Sequence, residues 1–163
     1  MTETDRLLEN ARAYAERFDN AGLEAQPSKR VAVLACMDTR LIPSRLLGLN
    51  EGEAHILRNA GGVVTDDAIR SLSISQVVLG TEEIVLLHHT DCGMLKVTDE
   101  ELADRLEQAS GQRPEWPAHA FSDLEQSVRT SIARLRESPF IPNKGSIRGF
   151  VYDVETGDLR EIT

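Results

Sequence analysis

The stretch LHHTDCGML (87–95) sets His89 three positions before Cys92, directly after the apolar run EIVLL. The only other cysteine, Cys36, closes a second apolar run, VAVLAC (31–36). An imidazole and a thiolate at that spacing make half of a metal site. A second thiolate gives a two-Cys, one-His set, which in ligand softness suits zinc. Three ligands leave a tetrahedral ion one position short, the mark of a catalytic rather than a closed structural zinc. No further cysteine is present to close the set, and His55, His88 and His119 are poorly placed to do so. His88 reads as a packing or supporting residue, and the nearest candidate for a fourth ligand is Asp38.

Asp38 and Arg40 follow Cys36 at alternate positions in CMDTR, so an extended chain projects all three to one side. The planar Arg40 fork can pair with the Asp38 carboxylate, keeping it ionised and turned as a hydrogen-bond acceptor toward a metal-bound water. With that pair broken, Asp38 is free to ligate the metal and expel the water. Zinc lowers the pKa of bound water from about 15.7 toward about 7, and two thiolates, by donating charge to the ion, make the shift smaller. Activity is therefore expected to favour alkaline pH. A neutral linear electrophile such as CO2 could be attacked directly.

Such a site needs two neighbouring strands that end at one edge. VAVLAC and EIVLLHH read as strands buried on both faces of a parallel sheet, and ligands of open α/β sheets bind outside the carboxyl ends of the strands. AHILRN is a third candidate strand. TDDAIRSLSISQVVLG reads as a helix capped by Thr65 or Asp66 and ended at Gly80. Two more helices carry capping boxes, Thr98 with Glu101 and Ser122 with Glu125, the second closed by Pro139. GQRPEWPAHAF, with Pro114 and Pro117, connects them. Residues 4–19 place Leu7, Leu8, Ala11, Tyr14, Ala15 and Phe18 on one stripe of an amphipathic helix. Periodicity alone lets that stripe cover its own core or pack on a second subunit. SIRGFVYDVETGDLREIT alternates around a Thr-Gly turn, as a hairpin or a final edge strand does. The expected class is α/β, a central mostly parallel sheet flanked by helices, with an antiparallel strand or hairpin at its end.

The chain's 163 residues, 40% hydrophobic and 28% charged, suit one domain spanning 1–163 with a proper core. A net charge of −9 repels phosphate backbones and anionic lipid headgroups, so neither nucleic acid nor membrane is an expected partner. No apolar run approaches the roughly 20 residues that span a bilayer, and no Lys/Arg-led signal peptide opens the chain. The expectation is a soluble, cytoplasmic protein. A thiol phosphatase is disfavoured because Arg40 lies too near Cys36 for a phosphate-cradling loop and CMDTRLIPSR has no glycine for close backbone approach. A redox module is weakened by the lack of a resolving cysteine nearby. A closed structural or regulatory zinc module stays open as a competing reading, with bound zinc but no exchangeable water.

At these residues the sequence resembles the β-class carbonic anhydrases. ACMDTR carries the family's CxDxR and HHTDCG its HxxC, while RNAGG, the intervening helix and RGFVYDVETG fall where that family has counterparts. In length it is similar to the compact bacterial branch. The resemblance implies Cys36, His89 and Cys92 as ligands of one Zn2+ per subunit, Asp38 and Arg40 as the catalytic dyad, and CO2 and bicarbonate as substrates. It implies that Asn59, Gly61 and Gly62 shape the substrate pocket. It further implies a homodimer or dimer of dimers in which the N-terminal helix embraces the partner. The glutamine that many members contribute from the partner to bind bicarbonate has no clear counterpart, since Gln26 lies in a looser segment. The same branch is similar to carbonyl sulfide hydrolases. Discrimination between the two substrates would come from apolar residues near the metal, for which Met37, Leu41, Val63 and Met94 are candidates, their alternative role being core packing.

Overall fold

In the computed structural model, which describes residues 1–163, the apolar runs become neighbouring strands. The strands are β1 (Val31–Cys36), β2 (Ala54–Asn59), β3 (Glu83–His89), β4 (Ser146–Tyr152) and β5 (Leu159–Ile162). They form one sheet in the order β2-β1-β3-β4-β5. The first four are parallel and β5 runs antiparallel to β4. The strands β1 and β3 are interior, which is why both faces of each had to be apolar. The edge strand β2 alternates half-buried and exposed residues along most of its length. The Thr156–Gly157 turn joins β4 to β5, as the alternation in the last eighteen residues predicts.

Helices cover the two faces unequally. Leu72 of α3 (Asp66–Val77) and Val128, Ile132 and Leu135 of α5 (Leu124–Glu137) pack with Ala32, Leu34, Ile84 and Leu86 into the larger core. The opposite pleat carries Val33, Ala35 and Leu87, which pack with Leu41 and the two cysteines into a smaller cluster. Each fully buried Leu or Ile in these clusters contributes about 1.5–3 kcal/mol of transfer free energy. The short α2 (Pro43–Leu47), with Pro43 in its first turn and Gly48 in the left-handed conformation at its end, borders the smaller cluster and has no counterpart in the sequence reading.

The caps decide the helix limits. Thr65 caps α3, whose last residue is Val77; the chain turns before Gly80, so Gly80 closes the turn into β3 rather than the helix. The Thr98–Glu101 box caps α4 (Asp99–Ser110) as expected. The cap of α5 is Asp123 in place of Ser122: its carboxylate accepts the Gln126 N–H, and a negative charge there also complements the helix dipole. The N-terminal helix α1 (Glu3–Ala15) is shorter than 4–19 and leaves Phe18 beyond its end. It buries no residue. Leu7, Leu8, Tyr14 and Phe18 are 60%, 52%, 47% and 49% exposed, so α1 does not cover the core of its own subunit. Its tether is polar: the Tyr14 hydroxyl donates to Glu51 at 2.7 Å. No helix is long and apolar enough to cross a membrane.

Gly149 lets α5 lie directly on β4. A Cβ there would stand 2.3 Å from Val128 Cγ1 and 3.0 Å from Ile132 Cδ1. Gly149→Val is expected to destabilise the fold by about 1–3 kcal/mol through overpacking, lowering Tm by several degrees in calorimetry. An unchanged Tm would show that α5 does not bear on the strand at this point.

Candidate active site

The parallel register pairs Ala35 with Leu87, so Cys36 and His89 leave the sheet at the same edge. After His89 the chain is held by two hydrogen bonds at Thr90: its N–H donates to the Tyr152 carbonyl at 2.9 Å, and its hydroxyl accepts the Val154 N–H at 3.0 Å. Asp91 then adopts φ 55°, a left-handed conformation that Asp tolerates better than most residues, and this returns Cys92 toward Cys36. The two sulfurs lie 4.0 Å apart. The donor atoms of Cys36, His89 and Cys92 all fall within 4.8 Å of one another, and all three residues are buried.

The protonation chemistry of this trio favours a cation. His89 Nδ1 lies 2.8 Å from the Thr90 carbonyl, an acceptor, so Nδ1 carries the proton and Nε2 presents a lone pair. That Nε2 is buried and has no hydrogen-bond partner. The Cys36 thiol is pushed down by the hydrogen bond from the Cys92 thiol and, less strongly, by His89, while Cys92 is pushed up because its neighbour ionises first. One thiolate therefore forms readily, and the second needs a positive charge beside it. An orphaned imidazole nitrogen facing two such sulfurs fits a soft divalent ion held by Cys36, His89 and Cys92.

Asp38 and Arg40 meet, though not by the extended geometry that CMDTR suggests. The chain turns after Cys36, and the Asp38 carboxylate accepts the Arg40 backbone N–H at 2.9 Å. Within this turn the Arg40 guanidinium grips Asp38 with two bonds, Nε to Oδ1 at 3.0 Å and Nη2 to Oδ2 at 2.8 Å. The Arg40 hydrogen bonds hold the Asp38 carboxyl well below the usual carboxylate range. Asp38 Oδ2 lies 3.7 Å from His89 Nε2, at the rim of the trio rather than in it.

Three supporting residues, Asp91, Lys96 and Arg58, have no role in the sequence analysis. Arg40 Nη1 donates to Asp91 Oδ2 at 2.8 Å, so one guanidinium spans two carboxylates. Lys96 holds the same Asp91 at 2.5 Å. Arg58 donates to the backbone carbonyls of Cys36, Asp38 and Leu41 at 2.7–3.1 Å and so fixes the loop that leaves β1. Arg58 and Asp91 have no local signature, because each acts on chain remote in sequence. Asp91 was at least in view inside HTDCG.

The RNAGG residues also come to the site. Asn59 Nδ2 donates to the Val63 carbonyl at 2.8 Å, and Gly61 and Gly62 have φ of 82° and 68°. A Cβ on Gly62 would stand 2.7 Å from the Cys36 nitrogen, so glycine is required by space as well as by φ. The remaining histidines stay out of the set. The His55 ring nitrogen bonds Ser75 at 2.7 Å, and burial pushes fully enclosed His88 down to about 4. Of the apolar candidates, Leu41 is core, Met37 is exposed, Val63 borders a surface cleft, and Met94 packs beside the cysteines. Gln26 lies by Gly80, away from this edge.

Residues 31–159 match the family model of carbonic anhydrase. Over the whole chain the sequence is 52% identical to Beta-carbonic anhydrase 1 of Mycobacterium tuberculosis, covering 99% of that protein. The chain belongs to the β-carbonic anhydrases. The fold agrees: a carbonic anhydrase structure from Streptococcus mutans superposes with a TM-score of 0.94 at 46% identity, covering 100% of this chain and 99% of the other. More distant relatives carry another name. A carbon disulfide hydrolase of Acidianus sp. is 38% identical, over 82% of this chain and 78% of its own length. Carbon disulfide, rather than the carbonyl sulfide of the sequence reading, is the sulfur compound these relatives name.

Lys96 and Arg40 hold the Asp91 carboxyl at about 2. A lowered carboxyl stabilises the fold above its unfolded pKa near 3.9, and that contribution is lost as pH falls through its folded value. The Tm difference between the unmodified chain and Asp91→Asn, present at neutral pH, should therefore close between about pH 4 and pH 2. At neutral pH the variant should keep its metal content while kcat/KM for CO2 falls roughly tenfold, as the Arg40 grip loosens.

Proposed function

We propose that this carbonic anhydrase interconverts CO2 and bicarbonate with one Zn2+ per subunit, held by Cys36, His89 and Cys92, and that residues 1–163 act as one domain. The observation that carries the reading is the buried trio: two thiols 4.0 Å apart and a bare imidazole nitrogen, with an Arg-clamped carboxylate 3.7 Å from that nitrogen. When bound, zinc supplies Lewis acidity that brings the pKa of a coordinated water from about 15.7 toward about 7.

The chain's own groups do the rest. Asp38, ionised and a hydrogen-bond acceptor only, would accept a hydrogen bond from the attacking oxygen and so turn the oxygen's lone pair toward CO2. Arg40 is the positioning residue: occupied on one side by Asp38 and on the other by Asp91, it keeps the carboxylate at the rim and out of the ligand set. Asn59, Gly61 and Gly62 shape the pocket wall beside Cys36, with Asn59 holding the turn and the glycines bringing backbone close. The two thiols suit a reducing compartment, in keeping with a cytoplasmic protein.

The second reading, hydrolysis of a sulfur analogue of CO2 at the same site, is favoured by the carbon disulfide hydrolase relatives. It ranks below the first because the full-length relative at 52% identity is a carbonic anhydrase. CO2 hydration by stopped flow and hydrogen sulfide release from carbon disulfide, measured on one zinc-loaded preparation at alkaline pH, separate them. Fast hydration with little sulfide is the expected result, and dominant sulfide release would move the function to the second reading.

The exposed stripe of α1 supports a homodimer, or a dimer of dimers, with α1 packed on the partner. Deleting residues 1–19 should convert the assembly to a smaller species in sedimentation velocity. Within the site, Cys92→Ser should lose zinc by atomic absorption, whereas Asp38→Ala should retain it and lose roughly a hundredfold or more in kcat. A zinc-loaded Asp38→Ala enzyme of full activity would remove Asp38 from the mechanism.

A further inference from the structure

Beside the Gly61–Gly62 turn the site has an apolar wall assembled from separate segments. A Cβ on Gly61 would stand 3.1 Å from Phe121 Cε1 and 3.2 Å from Met94 Cγ, so both side chains press on the turn. The next residue, Gly62, lies against the backbone nitrogen of Cys36, and Met94 follows Cys92 by two positions. The wall therefore stands within a residue or two of both thiols. Met94 and Phe121 are half-buried and pack on the cluster that contains those thiols.

The wall is held rigidly. The Phe121 N–H donates to the Met94 carbonyl at 3.2 Å, which fastens the loop before α5 to the turn after Cys92. On its other side the Phe121 ring lies 5.8 Å from the ring of His88, tilted by 32°. His88 is fully buried, and neither of its ring nitrogens makes a hydrogen bond, so its ring serves as a flat backing for Phe121. Beyond the wall, Phe121 and Val63 border a cleft of about 370 Å³ that runs to α5.

We propose that Met94 and Phe121 set the size of the linear substrate, admitting CO2 and holding back the longer and bulkier carbon disulfide. The proposal rests on the carbonic anhydrase reading of the site. Both molecules are neutral and linear and are attacked at carbon; for carbon disulfide, water adds to carbon and hydrogen sulfide leaves to give carbonyl sulfide, and a second water gives CO2 and a second hydrogen sulfide. The chemistry of attack is shared, so discrimination falls to the fit of the atom that points into the wall. A fit difference of about one methylene in an apolar pocket changes relative kcat/KM by roughly 10–200-fold.

The test uses the zinc-loaded full chain and three variants, Met94→Ala, Phe121→Leu and Met94→Phe, with zinc content and Tm recorded for each. The readout is the ratio of kcat/KM for carbon disulfide to that for CO2, measured on the same preparation so that partial loss of metal or fold cancels. Met94→Ala and Phe121→Leu should raise the ratio roughly tenfold or more, and Met94→Phe should lower it. A ratio unchanged in all three, or an unmodified chain that already prefers carbon disulfide, overturns the proposal while leaving the site as a zinc hydrolytic centre. An unmodified, zinc-loaded chain that turns over neither substrate overturns the reading of the site, and the wall as a substrate filter falls with it.

Discussion

Val31 to Ala35 pair one for one with Glu83 to Leu87, and because β1 and β3 run parallel, both chains leave the sheet at the same edge. Every later feature of the site depends on that register. A slip of one residue would turn each side chain to the opposite face, and both faces are committed: Leu34, Ile84 and Leu86 to the α3 and α5 side, Val33, Ala35 and Leu87 to the other. The apolar pattern that builds the core is therefore also what brings Cys36 and His89 together. Cys92 needs one further device, the left-handed Asp91, which returns the chain toward the first thiol.

Charge then decides what each group at that edge can do. Two buried sulfurs 4.0 Å apart cannot both ionise without a cation between or beside them, and the unbonded Nε2 of His89 completes a donor set that could hold one. Asp38 is the one carboxylate close enough to compete for that cation. Its two charge-assisted bonds to Arg40, with the backbone N–H of the same residue as a third, outweigh a single contact at 3.7 Å to an imidazole. Arg40 is in turn fixed by Asp91, and Asp91 by Lys96, so the orientation of one carboxylate depends on a chain of alternating charges that begins on the surface.

The parts of this that were legible in the sequence are those with local causes. Continuous valine and leucine runs announce interior strands, Thr98 and Glu101 announce a helix start, and the position of Cys36 and HxxC at two strand ends announces that their three side chains meet once the strands are taken as neighbours. What failed was also local in origin. Ser122 and Asp123 are both competent caps, and the carboxylate won because it complements the helix dipole as well as accepting a hydrogen bond. The alternation in CMDTR promised the right pairing through the wrong geometry, since the Asp38 side chain bonds the Arg40 backbone and makes a turn. Arg58, Asp91 and Phe121 were not legible as site residues because their partners lie far away in sequence, and nothing in a short window reports such a contact. The stripe on α1 was plain, but a stripe does not name the surface it packs on.

The two faces of the sheet divide stability from chemistry. The α3 and α5 face holds a core cluster of 14 buried residues, and the face with the cysteines one of 6 ringed by half-buried apolar side chains, so the second face has the smaller fully buried core. Polar clamps substitute there: Arg58 on three backbone carbonyls, Arg40 across two carboxylates, and the glycine turn wedged against Cys36. A metal ion held by Cys36, His89 and Cys92 would add a cross-link between the ends of β1 and β3. Binding to a site that exists only in the folded chain stabilises that chain by mass action. The same ion would therefore activate water and hold together the edge that positions it.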